Sequence, residues 1–452
     1  MVSRRTAVVL GAASVWLVVA LVGLTHSESP GKPGTKPGAL AGVKDEDYEL
    51  FRALADTLDQ IERNYVQPIS RRELMEAAIA GMLGKLDPHS SYIPPDDIAN
   101  FRTSVESQFA GIGIQLGVDD GRLRIVSPLY GTPAYRAGLR AGDRIVSIDG
   151  RPAEQMKLDD AVKALKGEPG SSVTVSVARL GSREPIVRKL TREMVHVETV
   201  LGERRGTDDR WDFMLDPQKR IGYIRVSSFS RDTARDLRQA LDRLTEAKLQ
   251  GLVLDLRFNP GGLLSSAIEV ADMFVADGRI VSTQGRNVPE HVWDAERPGT
   301  YEGFPMVVLV NRFSASASEI VAACLQDHKR AVIVGERTWG KGSVQNVIEL
   351  EEGKSALKLT TSSYQRPSGK NIHRFPDAKD TDDWGVRPDE GYDLRLNDRD
   401  MANLFDDRQR RDVLSTGESV IEPPATPPRP YVDRQLAKAV EYLAGQIKES
   451  PE

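Results

Sequence analysis

The chain has 452 residues, too long for one ordinary domain, so two or three domains are expected. Its 61 Lys and Arg residues against 66 Asp and Glu residues give a net charge of -5, and the sequence has no basic block of the kind that wraps nucleic acid. A hydrophobic content of 40% is enough to build real cores. The single cysteine, Cys324, excludes an intramolecular disulfide and a Cys-rich metal site, and its apolar neighbours predict that it packs in a core.

Residues 1–26 have the pattern of a membrane or secretion signal. Arg4 and Arg5 precede an apolar run from Ala7 to Leu24 that would just span a thin bilayer as a helix. The same pattern fits a secretory signal, but no clean Ala-x-Ala cleavage site stands before Ser27. We expect a signal peptide or membrane anchor, with a retained anchor favoured and the rest of the chain extracytoplasmic. Residues 27–43, rich in Pro, Gly and Lys, are predicted to be a linker.

Residues 44–105 are predicted to form an N-terminal helical region. Apolar side chains recur there at three- and four-residue steps, and the segment Asp87–Tyr92 ends the resulting pair of helices. The first helix carries this stripe on Leu50, Phe51, Leu54, Leu58 and Ile61. Periodicity alone assigns no function to such a region, and packing or dimerisation is the simplest interpretation.

Residues 106–195 change to short strands. A glycine-rich start is followed by the segment Ala137–Gly150, a helix near 157–165 and an alternating strand from Val173 to Val177. Together these features resemble a PDZ domain, a β-rich fold with two helices. The resemblance implies β-augmentation by a substrate peptide, with its terminal carboxylate held by backbone N–H groups. The residues expected to bind it are Gly111, Ile112, Gly113 and Ile114.

From residue 196 to 395 strands and helices alternate. Strand runs at Ile221–Val226 and 251–256 flank a helix near 231–247, and strands at 306–310 and 331–335 flank a helix that begins near Ser318. Such units predict a layered α/β core. Residues 396–452 form a charged, Pro-rich extension whose predicted final helix covers 432–447. Nothing in the sequence indicates more than an accessory role for this extension.

Two residues in the 196–395 segment have the chemistry of a nucleophile and its base. Ser316 lies in a run of small residues at 314–319, and Lys341 lies between two glycines. A serine hydroxyl is a poor nucleophile until a base takes its proton, and a lysine can be that base only if burial holds it neutral. The pKa of free lysine is ~10.4. A lysine that acts as a base near neutrality therefore needs a pKa lowered by roughly three units, which means that its charged form is disfavoured by about 4 kcal/mol. The amide of Gln345 could hold the amine without adding charge. The pairing indicates a serine hydrolase without a catalytic histidine.

The motifs taken together resemble those of the carboxyl-terminal processing (tail-specific) proteases. They are the Ser-Ala-Ser-Ala-Ser-Glu run at 314–319, Gly-Lys-Gly-Ser-Val-Gln at 340–345, Asp-Leu-Arg-x-Asn-Pro-Gly-Gly at 255–262, and the preceding PDZ-like segment. The resemblance covers roughly 44–395. It implies a crotonase-like layered α/β protease core and a periplasmic or envelope serine endopeptidase, anchored to the inner membrane if the N-terminal helix is retained. Substrates would be selected by their C-terminal tails.

The resemblance also implies roles for particular residues. The family's nucleophile corresponds to Ser316, its general base to Lys341 and the residue that supports this lysine to Gln345. The oxyanion donors correspond to the backbone N–H groups of Gly262 and Ala317, and removal of one such donor typically costs about 3–4 kcal/mol. Two neighbouring serines are alternatives for the nucleophile, Ser314 and Ser318.

No cofactor or metal is expected. The six histidines include no pair at helical spacing for a metal, and no nucleotide-binding loop occurs. His89 follows Asp87-Pro88 in a loop, and we interpret it as a local structural contact. The expected partners are proteins with apolar C-terminal tails and, if the N-terminal helix is retained, a membrane. A homodimer or an adaptor protein is left open.

Two other functions compete with proteolysis. A catalytically silent PDZ adaptor that only gathers tails would be free to lose Ser316, Lys341 or Gln345, and all three are present. Acyl transfer on a small ester or thioester would suit a crotonase-like core but would leave the PDZ-like segment without a role. Proteolysis accounts for both parts of the chain.

Overall fold

The structure is a computed structural model that describes residues 45–98, 101, 108–414 and 431–449. The predicted signal or anchor at 1–26 and the linker at 27–43 lie outside the described residues. Within the described ranges, none of the helices has both the length and the apolar character that crossing a bilayer requires.

The helical region consists of two helices and a short strand, α1 (Asp45–Asn64), α2 (Arg71–Leu83) and β1 (Ser91–Ile93). Helix α2 begins at a capping box, in which the hydroxyl of Ser70 accepts from the N–H of Glu73 and the Glu73 carboxylate accepts from the N–H of Ser70. Residues 95–98 are also helical. Strand β1 pairs antiparallel with the long strand Ser355–Gln365 (β21). The helical region is therefore joined to the α/β core through a sheet.

The PDZ-like unit is a small sheet with two helices, as expected. Its elements are β2 (Gln108–Gly111), β3 (Ile114–Asp119), β4 (Arg122–Pro128), α3 (Pro133–Arg136), β5 (Arg144–Ile148), β6 (Arg151–Pro152), α4 (Leu158–Leu165), β7 (Ser172–Ala178), β8 (Ile186–Thr191) and β9 (Glu193–His196). The strand order is β3-β4-β5-β7-β8, while β6 pairs with β5 and β2 pairs with β9. Strand β3 is thus an edge strand, and helix α4 packs beside it.

The α/β core at residues 196–395 is built on a largely parallel sheet. Its elements are β10 (Val200–Leu201), β13 (Met214–Asp216), β14 (Ile221–Val226), α5 (Thr233–Glu246), β15 (Gly251–Asp255), α6 (Leu264–Asp272), β18 (Met306–Val310), α7 (Ala317–Asp327) and β19 (Val332–Gly335). Strands β14, β15, β18 and β19 run parallel in that order. Neighbouring side chains alternate between two hydrophobic clusters, since Leu252 and Leu254 lie in one and Val253 lies in the other. Both faces of this sheet are buried in hydrophobic clusters, which explains why the sequences of its strands are continuous apolar runs.

A second, antiparallel sheet lies beside this core. Its strands β16 (Arg279–Gly285), β17 (His291–Asp294) and β20 (Ser343–Leu350) join β21 and β1. A two-stranded ribbon is formed by β11 (Arg204–Arg205) and β12 (Trp211–Asp212). The long β21 carries both β1 of the helical region and β20, which follows the candidate base Lys341.

The C-terminal extension is an integral part of the core, which the sequence did not indicate. It contains α8 (Asp398–Asp412), which was not predicted, and α9 (Arg434–Glu449). Ala439 and Leu443 of α9 are fully buried in a cluster with Tyr223 and Val253, so α9 covers one face of the parallel sheet. The charged composition of α8 concealed its small apolar contact, in which Leu404 is fully buried.

A buried charge cluster reinforces this attachment. The Arg257 side chain, fully buried directly after β15, donates to Asp255 and, at 2.7 Å, to Asp433. Arg408 of α8 donates to Asp255 as well. Although burial opposes ionisation of Asp255, the two guanidinium groups hold the pKa of this carboxyl well below its usual range. The extension thereby supplies charge partners to the segment that leads into the Gly261–Gly262 turn.

Candidate active site

Ser316 lies at the N-terminus of α7 in a strained turn. Its φ is 56°, a left-handed conformation that is uncommon for any residue except glycine, and it is only 1% exposed. The turn is held by hydrogen bonds at the two residues before the serine, from Ala315 N–H to Asn259 O (3.0 Å) and from Trp339 N–H to Ser314 O (3.0 Å). The Ser316 hydroxyl has no hydrogen-bond partner among the described residues. The turn therefore fixes the backbone of Ser316, while its hydroxyl is left available to act as a nucleophile.

The two alternative serines have hydroxyl groups that are already occupied. Ser314 Oγ donates to Leu256 O at 2.8 Å, and Ser318 Oγ donates to Asn259 O at 2.9 Å. Both bonds tie the turn to the segment after β15. The geometry therefore favours Ser316 over its neighbours as the nucleophile.

The Gly261–Gly262 turn lies directly against Ser316. A Cβ at Gly261 would lie 2.8 Å from the Cβ of Ser316 and 3.0 Å from the N atom of Ala317, and a Cβ at Gly262 would lie 2.0 Å from Phe229 O. Only glycine allows this approach. Within the described chain, the N–H groups of Gly262 and Ala317 donate to no protein acceptor. The N-terminus of α7 adds its partial positive charge at the same place. These features suit the binding of an oxyanion.

Lys341 is almost buried and carries a shifted pKa. The side chain is 8% exposed, and burial together with the neighbouring Lys358 lowers the pKa of Lys341 to about 8, against the opposing charges of Glu319 and Asp87. This is the direction that a lysine base requires. Because the Ser316 hydroxyl has no partner, no Ser316–Lys341 hydrogen bond is formed in this structure.

Glu319 connects the serine turn to the lysine turn, a role that the sequence analysis missed. This fully buried carboxylate accepts from the N–H of Ser316 (2.8 Å) and the N–H of Lys341 (2.8 Å) through one oxygen. Its other oxygen accepts from Gly340 N–H (2.6 Å) and Thr338 Oγ1 (2.5 Å). Burial raises the pKa of Glu319 to about 7, against the lowering effect of these hydrogen bonds. The Ser-x-x-Glu spacing at 316–319, typical of a helix start, was the available signal.

Gln345 lies on β20 with its amide fully buried. Its Nε2 donates to Ser343 Oγ at 2.9 Å and to Thr360 Oγ1 at 3.2 Å. Its Oε1 has no hydrogen-bond partner among the described residues. Gln345 thus offers a buried acceptor of the kind that an amine or ammonium group needs.

Histidines and metal ligands contribute little to this arrangement. In the ranges that the structure describes, no group of three or more His, Cys, Asp or Glu residues is placed to hold a metal ion. Burial, followed by the charge of Lys341, lowers the pKa of His89, which places this histidine near the site but uncharged at neutral pH. Cys324 is fully buried in α7 and burial raises its pKa to about 12, so it packs in the core as predicted.

The predicted tail-binding residues lie at the end of β2 and the start of β3 in the PDZ-like unit. Gly113 has φ 76°, and a Cβ there would lie 2.3 Å from the Cβ of Thr132, so only glycine fits. Its carbonyl accepts from Thr132 Oγ1 at 3.0 Å. The edge strand β3 follows, and its partly buried Ile114 and Leu116 share a hydrophobic cluster with Leu158 of α4. Gly111 and Ile112 precede this edge, and Ile112 packs in the core of the unit.

A serine peptidase core that carries a PDZ domain is the class that this fold and site define. The model of peptidase family S41 matches residues 220–390, a PDZ domain model matches residues 124–179, and the model of the activating protease CtpB N-terminal domain matches residues 8–96. The chain is 36% identical over 88% of its length to a carboxy-terminal-processing protease of Bartonella bacilliformis, of which it covers 89%. This protein therefore belongs to the carboxy-terminal processing proteases, and the family predicted from its motifs is confirmed.

Two further relatives agree with this assignment. The chain is 34% identical to a carboxyl-terminal-processing protease of Synechocystis over 73% of both chains. It is 32% identical to the carboxy-terminal processing protease CtpB of Bacillus subtilis over 80% of this chain and 73% of that one. Among solved structures, the photosystem II D1 C-terminal processing protease is 30% identical, covers 78% of this chain and 94% of its own, and superposes with a TM-score of 0.43. The predicted multidomain α/β fold and serine peptidase activity are confirmed.

Proposed function

We propose that this protease is an endopeptidase that cleaves peptide bonds with Ser316 as nucleophile and Lys341 as general base. The observation that carries the proposal is the Glu319 carboxylate, since one of its oxygens binds the backbone N–H groups of both residues at 2.8 Å. The serine and the lysine are therefore held on one buried frame. The lysine pKa of about 8 leaves part of the amine neutral near physiological pH.

The reaction then follows from these groups. Neutral Lys341 Nζ takes the proton of Ser316 Oγ as this oxygen attacks the scissile carbonyl, and the N–H groups of Gly262 and Ala317 receive the oxyanion. The resulting ammonium returns its proton to the leaving amine, and Gln345 Oε1 accepts a hydrogen bond from the lysine. Water then hydrolyses the acyl-enzyme with the same base. Since the hydroxyl has no partner in the described residues, substrate binding must bring it into contact with the amine.

We further propose that the PDZ-like unit selects substrates by their C-terminal tails. An extended tail would pair with the edge strand β3, place an apolar side chain against Ile114 and Leu158, and present its carboxylate to the backbone from Gly111 to Ile114. The apolar run at residues 7–24 supports an extracytoplasmic location for this activity, in the cell envelope.

The decisive test is digestion of a test protein with an apolar C-terminal tail. Wild type should cleave it, and Ser316→Ala and Lys341→Ala should each abolish cleavage while remaining folded. Ser318→Ala is the matched control, because it removes a neighbouring hydroxyl that, among the described residues, donates to Asn259 O. Cleavage by Ser316→Ala would refute the assigned nucleophile. Tail binding without cleavage by wild type would favour the silent adaptor instead.

A further inference from the structure

The amide of Gln345 is held in a single orientation. Both hydrogens of its Nε2 are used, one toward Ser343 Oγ and one toward Thr360 Oγ1, and Oε1 is left buried without a described partner. An amide turned by half a revolution would place its oxygen against these two hydroxyls and its NH2 where the acceptor now lies. The rotated amide is prevented where a hydroxyl already donates its one proton to another acceptor. Such a hydroxyl can accept a hydrogen bond from Gln345 Nε2 but cannot donate one to Oε1.

Asp87 fixes the proton of Thr360. The Thr360 hydroxyl donates to Asp87 Oδ1 at 3.2 Å, so its lone pairs are the part that faces Gln345. Although partial burial opposes ionisation, hydrogen bonds from the N–H groups of His89 and Ser90 and from Ser90 Oγ hold the pKa of Asp87 below its ordinary value. An ionised carboxylate accepts only and cannot return a proton to Thr360.

The loop that carries Asp87 belongs to the helical region, and it is docked on the protease core. Ser90 Oγ accepts from the backbone N–H of Thr360 at 3.1 Å. Directly after this loop, β1 pairs with β21 with Ser91 opposite Lys358. These bonds fix the distance between the loop and Thr360 although the two segments are 273 residues apart in sequence. The chain from Asp87 through Thr360 to Gln345 is therefore preorganised.

We propose that Asp87, acting through Thr360, is a positioning residue that orients Gln345 so that its Oε1 is available to the amine of Lys341. The helical region thereby contributes to the catalytic centre in addition to packing. This inference rests on the proposed Ser316–Lys341 mechanism. The competing explanation is that Asp87 only shapes its own turn through its bonds to His89 and Ser90.

Charge and positioning can be separated by choice of variant. The charged or titratable groups that face Lys341 are Lys358 on β21, Glu319 on α7, and Asp87 and His89 in the loop. Replacement of Asp87 removes a charge that raises the pKa of Lys341. The pH range in which activity rises, called here the pH limb, should therefore move to lower pH. Thr360→Val keeps this charge and removes only the hydroxyl. It is the cleaner variant, because the turn at Asp87 also keeps its other bonds.

The experiment measures kcat and KM across pH on a tailed substrate for Thr360→Val, Thr360→Ser, Asp87→Ala and the Asp87→Ala/Thr360→Val double variant. We expect Thr360→Val to lower kcat by roughly 10- to 100-fold with KM and the pH limb unchanged, since small misplacements of catalytic groups have effects of this size. Thr360→Ser should recover most of the lost kcat because it restores the hydroxyl. The double variant should be no slower than the slower single variant, since both act through one chain.

Ser70→Ala is the control for the helical region, because it breaks the capping box of α2 without any bond to Thr360, and it should keep the kcat of wild type. The positioning role is overturned if Thr360→Val keeps kcat within about twofold of wild type, if Thr360→Ser is as slow as Thr360→Val, or if the two single effects multiply. Ser316→Ala and Lys341→Ala run beside these variants. Activity in either would overturn the catalytic assignment itself, whereas activity retained only in Thr360→Val would overturn the positioning role alone.

Discussion

Replacement of Glu319 by Gln should damage stability and catalysis together. The carboxylate receives two donors on each oxygen, and three of the four are backbone N–H groups, from Ser316, Gly340 and Lys341. An amide has only one acceptor atom. If its NH2 takes the place of Oε2, two buried N–H groups lose their acceptor, and if it takes the place of Oε1, one does.

The expected magnitude follows from these counts. Leaving a buried donor without a partner costs about 1–3 kcal/mol, so we expect the free energy of unfolding of the protease core to fall by roughly 2–3 kcal/mol. The turns at Ser316 and Lys341 would also lose their common anchor, and kcat should fall by about 100-fold, the scale expected for a misplacement near 1 Å.

The assay combines urea unfolding with steady-state cleavage of a tailed substrate. Ser318→Ala serves as the control, because it also removes a buried hydrogen bond of α7 and leaves the Glu319 bonds in place. A Glu319→Gln protein with the stability and kcat of wild type would refute the anchoring argument. A protein that loses stability but keeps kcat would show that the carboxylate stabilises the fold without positioning the two catalytic turns.

Four further predictions concern the pH dependence of activity, the pH dependence of stability, substrate tails and the PDZ-like unit. Because burial lowers the pKa of Lys341 to about 8, kcat/KM should rise with pH through a midpoint near that value and resist chelators; a steady fall from about pH 6 to 9 would contradict a lysine base. Between about pH 8 and the ordinary lysine pKa of 10.5, the folded state binds fewer protons than the unfolded state, so the contribution of Lys341 to the free energy of unfolding should rise with pH. Urea unfolding of Lys341→Met at several pH values should lack this rise. A substrate with an amidated tail should have a lower kcat/KM than the same substrate with a free apolar carboxylate, and equal values would argue against tail selection. Gly113→Ala should weaken tail binding in calorimetry and leave cleavage of an untailed peptide unchanged, because its Cβ would lie 2.3 Å from the Cβ of Thr132.

The local parts of this molecule could be predicted from the sequence. The apolar runs at Ile221–Val226 and Met306–Val310 form the strands expected, and the helix that begins at Ala317 lies one residue from its predicted start. These elements are fixed by short-range periodicity and by turn glycines. The motifs around Ser316 and Lys341 likewise carry their own signal.

The connections between distant segments could not be predicted. Glu319 reads as a helix cap, and nothing local shows that the same carboxylate also binds the backbone of Lys341, 22 residues away. The bond between Asp87 and Thr360 spans 273 residues. The burial of α8 was concealed because its charges pair inside the fold, as Arg408 does with Asp255. Such contacts depend on tertiary packing and leave no periodic trace in one sequence.

The attachment of α9 has a consequence for the order in which the enzyme becomes complete. Arg257 stands just before the Gly261–Gly262 turn, and its partner Asp433 is made 176 residues later. Until that segment joins, a buried guanidinium lacks one of its carboxylates and the sheet face under Val253 lacks the cover of Leu443. Synthesis proceeds from the N-terminus, so a nascent chain already contains Ser316 and Lys341 well before its core can close. The contacts that this helix segment makes with Arg257 and with the parallel sheet therefore form late in synthesis, after both Ser316 and Lys341 have been added to the chain.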